Sequence, residues 1–365
     1  MNQEFVIIGG GIAALSTAWE LHQQKQSFAI LYQPRKGSAT QAAAGMLCPE
    51  IEADSAKAPL LALAKKSQQQ YPSWIAGLEG HTQKDCGYHD KGTLLIAQHQ
   101  DHMAEIAHIC THIEEQGYRC QRKTIKELRS LEENLAPRLA GGISVPDAHS
   151  IHPRMLYSAL YSALEDRIYS CTKIHLSHNN EAVQSISYRT QDDVEHNLVA
   201  KHIIIADGAW SSSFPILNWL PMRPVKGLFV IVQGNPLIEH TIRTPDVYMV
   251  PRPNGEIYIG ATMEEEGFSM DIRAGHQLDL LYHSWQFIRG IYELNIVESG
   301  VGFRPALRDH QPAIGRSQLS NLWLNIGHFR HGITIAPAAS KYLLNQIEKS
   351  DTDGLFSPLR FWDSS

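Results

Sequence analysis

The chain has 365 residues, 43% of them hydrophobic, with 32 basic against 38 acidic residues and a formal net charge of −6. That length supports a large core, as two domains or one elaborate one, and the acidic balance offers no basic field to a nucleic acid or an anionic membrane. No apolar run approaches the roughly 20 residues of a membrane-crossing helix.

Near the N-terminus, Phe5–Ile8 (FVII) is an apolar run that reads as a buried parallel strand. Gly9 opens a tight turn and Gly11 lets the backbone approach a phosphate. Ile12 to Leu21 follow as an amphipathic helix whose N-terminus points its free N–H groups and positive dipole end at that phosphate. Ala14 takes the third place of the pattern G-x-G-x-x-G/A, where helix and strand pack closely. The implied ligand class is a dinucleotide. Phe28–Leu31 is the second strand of the βαβ unit. An acidic residue ordinarily closes this strand and accepts hydrogen bonds from the adenosine ribose. Tyr32 and Gln33 stand there instead, with the uncharged Gln33 amide oxygen as acceptor, which predicts looser cofactor binding.

The small-residue run Ala39–Pro49 suits backbone pressed against a flat ring system, or equally the N-terminus of a small-residue helix. A long helix is expected over 58–80, a strand over Gly92–Ala97 and a helix from His99 to Gln116. Thr124 and Glu127 form a capping box, and Pro153 after His152 opens a further helix. Alternation from Ile168 to Val199 predicts a β-ribbon turning at Asp192-Asp193, leading into the buried strand His202–Ala206 and then Asp207-Gly208-Ala209-Trp210. Arg223–Val232, Val247–Val250 and Glu256–Ala261 read as strands of a second sheet, the last two joined by a hairpin at Pro253-Asn254-Gly255. Glu293–Phe303 and Leu322–Ile326 are further strands, and Ile333–Ile347 is a helix.

The pattern is α/β: a discontinuous Rossmann-like dinucleotide-binding domain over 1–85, 142–222 and 299–365, with a mainly antiparallel substrate-binding domain with helices inserted as 86–141 and 223–298. The cysteines Cys48, Cys86, Cys110, Cys120 and Cys171 are scattered, and no basic n-region or cleavage-type sequence precedes the glycines. They read as reduced, buried thiols of a cytoplasmic protein. His108 and His112, and His328 and His331, have close spacing but no carboxylate or cysteine company, so no metal is expected.

Two arginines stand in rigid surroundings. Arg304 is followed by Pro305, and Arg330 sits in a glycine-flanked turn before a helix. Such a guanidinium grips a carboxylate with two parallel hydrogen bonds, and Tyr248, alternating inward on its strand, adds a hydroxyl. An ordinary structural ion pair is the alternative for each arginine. Gly327–Gly332 leaves N–H groups at a helix N-terminus that can stabilise negative charge.

Motifs along nearly the whole chain resemble the D-amino-acid-oxidase superfamily of flavoproteins, and within it the glycine oxidases of the thiamine pathway. They are GGGIAALS at 9–16, AAAGML at 42–47, HPR at 152–154, DGAWS at 207–211, PVKG at 224–227, VPRPNGEIYIGATM at 250–263, GFRPALRDHQPAIG at 302–315 and GHFRHGITIAP at 327–337. The resemblance implies a glutathione-reductase-type fold, non-covalent FAD, and oxidation of a small amino acid by hydride transfer from its α-carbon to flavin. The imine would then hydrolyse, and oxygen would accept the electrons to give hydrogen peroxide. It assigns the substrate carboxylate to Arg304 and Tyr248, places Arg330 at the site, and gives Met46 and Met263 a small pocket. It assigns FAD contacts to Ile12, Ala13, Ala39, Thr40, Ala44, Gly45, Met46 and Ile174, with Gly208, Arg304 and the turn His328, Phe329, Arg330, His331, Gly332 and Ile333. Two departures accompany Tyr32: Leu228 replaces a polar residue after PVKG and is expected to face the substrate, and Asp207 replaces a small residue before Gly208. A tRNA-modifying FAD oxidase, a quinone-coupled D-amino-acid dehydrogenase and a non-catalytic flavoprotein stay open as alternatives, as does a homo-oligomer.

Overall fold

A computed structural model describes residues 2–51, 58–350 and 354–364. The strand Asn2–Ile8 pairs in parallel with Phe28–Tyr32 on one side and with the end of Glu195–Ile205 on the other. Ile168–His178 continues the parallel sheet beyond Phe28–Tyr32, and Leu322–Ile326 continues it beyond Glu195–Ile205. Ala313–Arg316 closes that edge antiparallel.

Alternation sorts the first strand's side chains to two cores. Phe5 and Ile7 join one cluster with residues of the helices Ile12–Gln23, Ala58–Thr82, Pro153–Leu164 and Gly332–Lys349. Val6 and Ile8 join the other, with Ile186, Leu198, Phe214 and Leu217. Ala14 is fully buried in the first cluster, as close helix–strand packing requires.

The expected ribbon is a three-stranded meander, Ile168–His178, Val183–Thr190 and Glu195–Ile205. The turn at Asp193 is present, with Asp193 at φ 65°. Asn179 makes the turn that sequence reading missed, its side-chain oxygen accepting from Glu181 and Ala182 N–H. The third strand runs unbroken from the meander into the parallel sheet, so the apolar run His202–Ala206 is its buried end.

The second sheet has eight strands, with Asn295–Ala306 at one edge beside Arg223–Gln233, and Gln121–Lys123 at the other. The hairpin of Tyr248–Pro251 and Glu256–Gly260 turns at Asn254 and Gly255, both at positive φ. Gly141–Val145 and the whole of Asn295–Ala306 belong to this sheet, so the expected divisions at 141/142 and 298/299 fall inside its strands. The helix Ala274–Phe287, unmarked by any cap, packs on it through Leu280 and Phe287. The capping box is formed, with Thr124 Oγ1 accepting from Glu127 N–H.

One expectation fails outright. Cys110 and Cys120 are a disulfide, with Cα atoms 5.8 Å apart, while Cys48, Cys86 and Cys171 are buried outside it. The cause is local: the helix Gln100–Glu115 ends at Gln116 and the chain turns back at Gly117, φ 82°, carrying Cys120 to Cys110. Among the described residues no helix is long and apolar enough to cross a membrane, and no His, Cys, Asp and Glu cluster could hold a metal.

Gly45 and Gly80 test this architecture with opposite signs. A Cβ on Gly45, at φ 89°, would lie 2.9 Å from Pro153 Cδ and overlap the Ile151 carbonyl. On Gly80, in an exposed helical turn, it would meet nothing within 4 Å. Gly45→Ala is expected to lower unfolding free energy by about 1–3 kcal/mol, and Gly80→Ala to raise it by about 0.5–1 kcal/mol. Denaturant melts of the two variants measure this.

Candidate active site

The carboxyl ends of the parallel strands open into a cleft of about 480 Å³ that continues over the eight-stranded sheet. Its dinucleotide end is lined by Gly10, Gly11, Ile12 and Ala13. The helix Ile12–Gln23 has no side-chain N-cap. Ile12 N–H donates to Thr40 Oγ1 at 2.9 Å and Leu15 N–H to the Gly11 carbonyl at 3.0 Å, while Gly11, Ile12 and Ala13 line the cleft. Gly9 is not in the wall. It makes the turn, since a Cβ there would overlap the Ala206 carbonyl.

Tyr32 and Gln33 line the same end. The Tyr32 ring lies against Gly10, where a Cβ would fall within the ring. The Gln33 amide oxygen, the acceptor expected for ribose, is engaged by Arg35 Nη2 at 2.9 Å, and its amide donates to the Thr172 carbonyl at 2.7 Å. Asp207 and Gly208 are also in the wall. Asp207 is 9% exposed, and burial pushes its carboxyl up to about 7 against the opposing pull of Arg35.

The segment Ala39, Thr40, Ala44, Gly45 and Met46 forms one flank. It forms a short helix Ala39–Ala42, as the helix reading expected, and then extended backbone entering Met46–Leu47. Opposite lies the turn Gly327–Ile333. Phe329 adopts φ 49°, its N–H donates to the Pro305 carbonyl at 2.8 Å, and its ring stacks on His310 at 4.6 Å. This turn delivers the N-terminus of Gly332–Lys349, also without a side-chain cap, to the cleft. His328 is buried beneath it. Burial, then the neighbouring His331, drop its imidazole to about 4, so it is neutral at pH 7. His328 Nε2 lies 2.8 Å from Asn325 Oδ1, and that acceptor assigns the proton to Nε2.

At the far end Arg304 is half-buried and anchored from behind. Its Nη1 donates to the carbonyls of Lys226 at 3.2 Å and Thr262 at 3.1 Å. Gly227 makes room for it: a Cβ there would lie 2.6 Å from the guanidinium carbon. Tyr248 lines the same end, its ring parallel to Tyr258 at 6.2 Å. Met46 and Met263 are in the wall, Met263 at the mouth and 69% exposed. Arg330 is exposed at the rim.

Two expectations are corrected here. Leu228 does not face the cleft; it is 1% exposed in the core of the second sheet, and Gly227 is the lining residue. Alternation along Arg223–Gln233 places the two on opposite faces, so the parity was off by one. Ile174 is not in the wall either. It pairs with Tyr188 in the meander, beyond the stretch that pairs with Phe28–Tyr32. Sequence reading also missed lining residues. Arg243 lies directly opposite Tyr248 in the antiparallel pair, on a three-residue strand joined to the next by the turn Thr244-Pro245-Asp246, which sequence reading passed over. Trp210 and Tyr258 are in the wall too, both inside motifs quoted above but without an assigned place.

Comparison with known proteins accords with this geometry. A family model described as DAO, FAD dependent oxidoreductase, matches residues 4–346. Glycine oxidase of Geobacillus kaustophilus is 27% identical over 359 residues, 96% of this chain and 94% of that protein. The bifunctional protein ThiO/ThiG of Trichormus variabilis is 27% identical, and the alignment covers 99% of this chain but 55% of that protein, so the chain spans about half of that relative. The crystal structure of the Geobacillus kaustophilus glycine oxidase superposes with a TM-score of 0.84 at 26% identity, covering 99% of this chain and 98% of that one. That of glycine oxidase from Bacillus cereus gives 0.86, also at 26% identity, over 97% of each. The chain therefore belongs to the DAO family of FAD-dependent oxidoreductases.

Proposed function

We propose that this FAD-dependent oxidoreductase oxidises glycine or another small amino acid at the α-carbon, with oxygen as terminal acceptor. Amino acid, oxygen and water give a keto or aldehyde acid, ammonia and hydrogen peroxide. The anchored Arg304 carries the reading. Its Nη1 is spent on two backbone carbonyls. Its remaining donors make no hydrogen bond among the described residues and belong to a side chain lining the cleft. A guanidinium fixed on one edge and open on the other is preorganised for a carboxylate, so little entropy is lost when one binds. Tyr248 adds a hydroxyl, and Met46 and Met263 set the size of the remaining space. Arg330 closes the rim.

The residues present fit FAD. The helix start at Gly11–Ala13, whose N-cap glycine has no side chain, would take the pyrophosphate beside Gly10, where dipole and N–H groups favour negative charge. The wall of Ala39, Thr40, Ala44, Gly45 and Met46 offers small side chains to a flat ring. The second uncapped helix start, at Gly332, would stabilise negative charge on that ring. Bound FAD supplies the hydride acceptor. The chain's own part is alignment: holding the α-carbon at the ring face lowers the barrier by several kcal/mol without any side-chain base, provided that the amine arrives deprotonated. Relatives named glycine oxidase and ThiO support the substrate class and a place in thiamine biosynthesis.

Glycine, sarcosine or small D-amino acids should release hydrogen peroxide from the FAD-loaded protein and bleach it anaerobically. Failure of every one to bleach it would end this reading. Arg304→Ala should raise KM roughly ten- to a hundredfold, the value of charge-assisted hydrogen bonds to a carboxylate. Gly227→Ala should raise KM about tenfold by pushing the guanidinium off its seat on the two carbonyls. Steady-state kinetics and thermal melts of both variants check this, and unaltered KM in Gly227→Ala would show that Arg304 is misassigned.

A further inference from the structure

The dinucleotide end of the cleft contains a cation that the glycine pattern does not explain. Arg35 follows the strand Phe28–Tyr32 and turns back over the carboxyl edge of the sheet. Three groups hold its head: Gln33 Oε1 accepts from Nη2 at 2.9 Å, Trp210 lies 5.7 Å beneath the guanidinium carbon, and Asp207 Oδ2 is 4.0 Å from Nη2. Asp207 itself sits against the glycine turn, its N 3.0 Å from where a Gly9 Cβ would be. The guanidinium therefore shares the dinucleotide end of the cleft with Gly10 and Gly11.

Both partners are incompletely satisfied. Arg35 Nε is buried with no hydrogen-bond partner. The Asp207 carboxylate, 9% exposed, accepts no hydrogen bond among the described residues, and 4.0 Å is too long for one to Arg35. A guanidinium half withdrawn from water and so loosely paired, beside a carboxyl that burial pushes up to about 7, costs free energy unless a further partner arrives. The acid that normally binds the ribose is meanwhile gone, its place covered by the Tyr32 ring lying on Gly10.

We propose that Arg35 is a pyrophosphate-binding residue of the FAD site, with Gln33, Trp210 and Asp207 as its positioning residues. A contact from cation to phosphate thereby replaces the contact from carboxylate to ribose that Tyr32 removes. The pyrophosphate carries two negative charges, while a helix start offers about half a positive one, so a nearby guanidinium with a rigid fork of donors supplies what the helix lacks. The inference rests on FAD being the cofactor, and its failure is separable from failure of that reading, because wild-type apoprotein that bound no FAD would strike the cofactor and not Arg35.

The test titrates apoprotein with FAD, by flavin fluorescence, and with ADP, by calorimetry, alongside the Tm of each apoprotein. Arg35→Gln should weaken both ligands roughly ten- to a hundredfold. Because that variant strands Asp207 without its cation, the double variant Arg35→Gln, Asp207→Asn is the decisive one. It removes the cation and the acid together, and should melt like the wild-type apoprotein while binding FAD and ADP as weakly as Arg35→Gln. FAD and ADP affinities within about twofold of wild type in the double variant would overturn the proposal. So would a loss of affinity in it that only tracks a lowered apoprotein Tm, since Arg35 would then be structural.

Discussion

Three successive backbone carbonyls decide where the two halves of this molecule meet. Gln41, Ala42 and Ala43 accept hydrogen bonds from Arg154 Nε at 3.0 Å, Tyr258 Oη at 2.6 Å and Arg252 Nη2 at 3.0 Å. These carbonyls end the short helix Ala39–Ala42 and so lack helical partners of their own. Their donors come from elsewhere, Tyr258 and Arg252 from the hairpin of the second sheet and Arg154 from the start of Pro153–Leu164. The charges are settled locally. Arg154 holds Glu298 with two bonds of 2.6 and 2.7 Å, and Arg252 lies 4.7 Å over the Tyr258 ring. Burial lowers the Arg252 guanidinium to about 10, still cationic at neutral pH. Pinning this segment puts Thr40 at the glycine turn and Gly45 and Met46 in the cleft wall, so the contact that joins the sheets also shapes the site.

The same economy governs Arg304. It stands on the edge strand Asn295–Ala306, and its head crosses the neighbouring strand over Gly227 to reach the Lys226 and Thr262 carbonyls. Val225, not Gly227, is its register partner, so the side chain must run along the sheet before it turns into the cleft. A side chain at 227 would block that path. The glycine of PVKG thus belongs to the arginine of GFRP nearly eighty residues later, through space and not through any local turn.

This coupling explains what could be read in the sequence and what could not. Local signals were legible: the glycine turn, the hairpin at Asn254-Gly255 and the capping box at Thr124 each depend on residues a few positions apart. The segments that gather at the cleft were legible as motifs. Their geometry was not, because it is set by register. Leu228 and Gly227 differ by one position and face opposite sides, and which side holds the site depends on pairing with Asn295–Ala306. Ile174 fell outside because the strand Ile168–His178 leaves the parallel sheet after Ser170 and joins the meander. Cys110 and Cys120 looked unrelated because a helix end and a glycine turn, ten residues of chain, fold one back on the other. Arg252 was visible only as part of a turn motif, since nothing in its neighbourhood names a carbonyl more than two hundred residues away.

Net charge is equally silent about the site. A chain of formal charge −6 builds a cleft whose lining includes Arg35, Arg243, Arg304 and Arg330 against Asp207 and Asp246, with two helix N-termini opening into it. Positive potential here is a matter of placement, not of totals. Lys226 shows the opposite use of a charge. It is 1% exposed, and its Nζ lies 3.2 Å from Glu264 and 3.0 Å from Glu266, so its charge is compensated on the spot. Backbone bonds between Lys226 and Glu264, 2.9 and 3.0 Å, tie the same two residues again. A buried ion pair of this kind adds little net stability and is better understood as fixing geometry. What it fixes is the pair of carbonyls, Lys226 and Thr262, on which the Arg304 guanidinium rests. The acidic residues that make the chain net negative thus include those that hold the Arg304 guanidinium in position at the cleft.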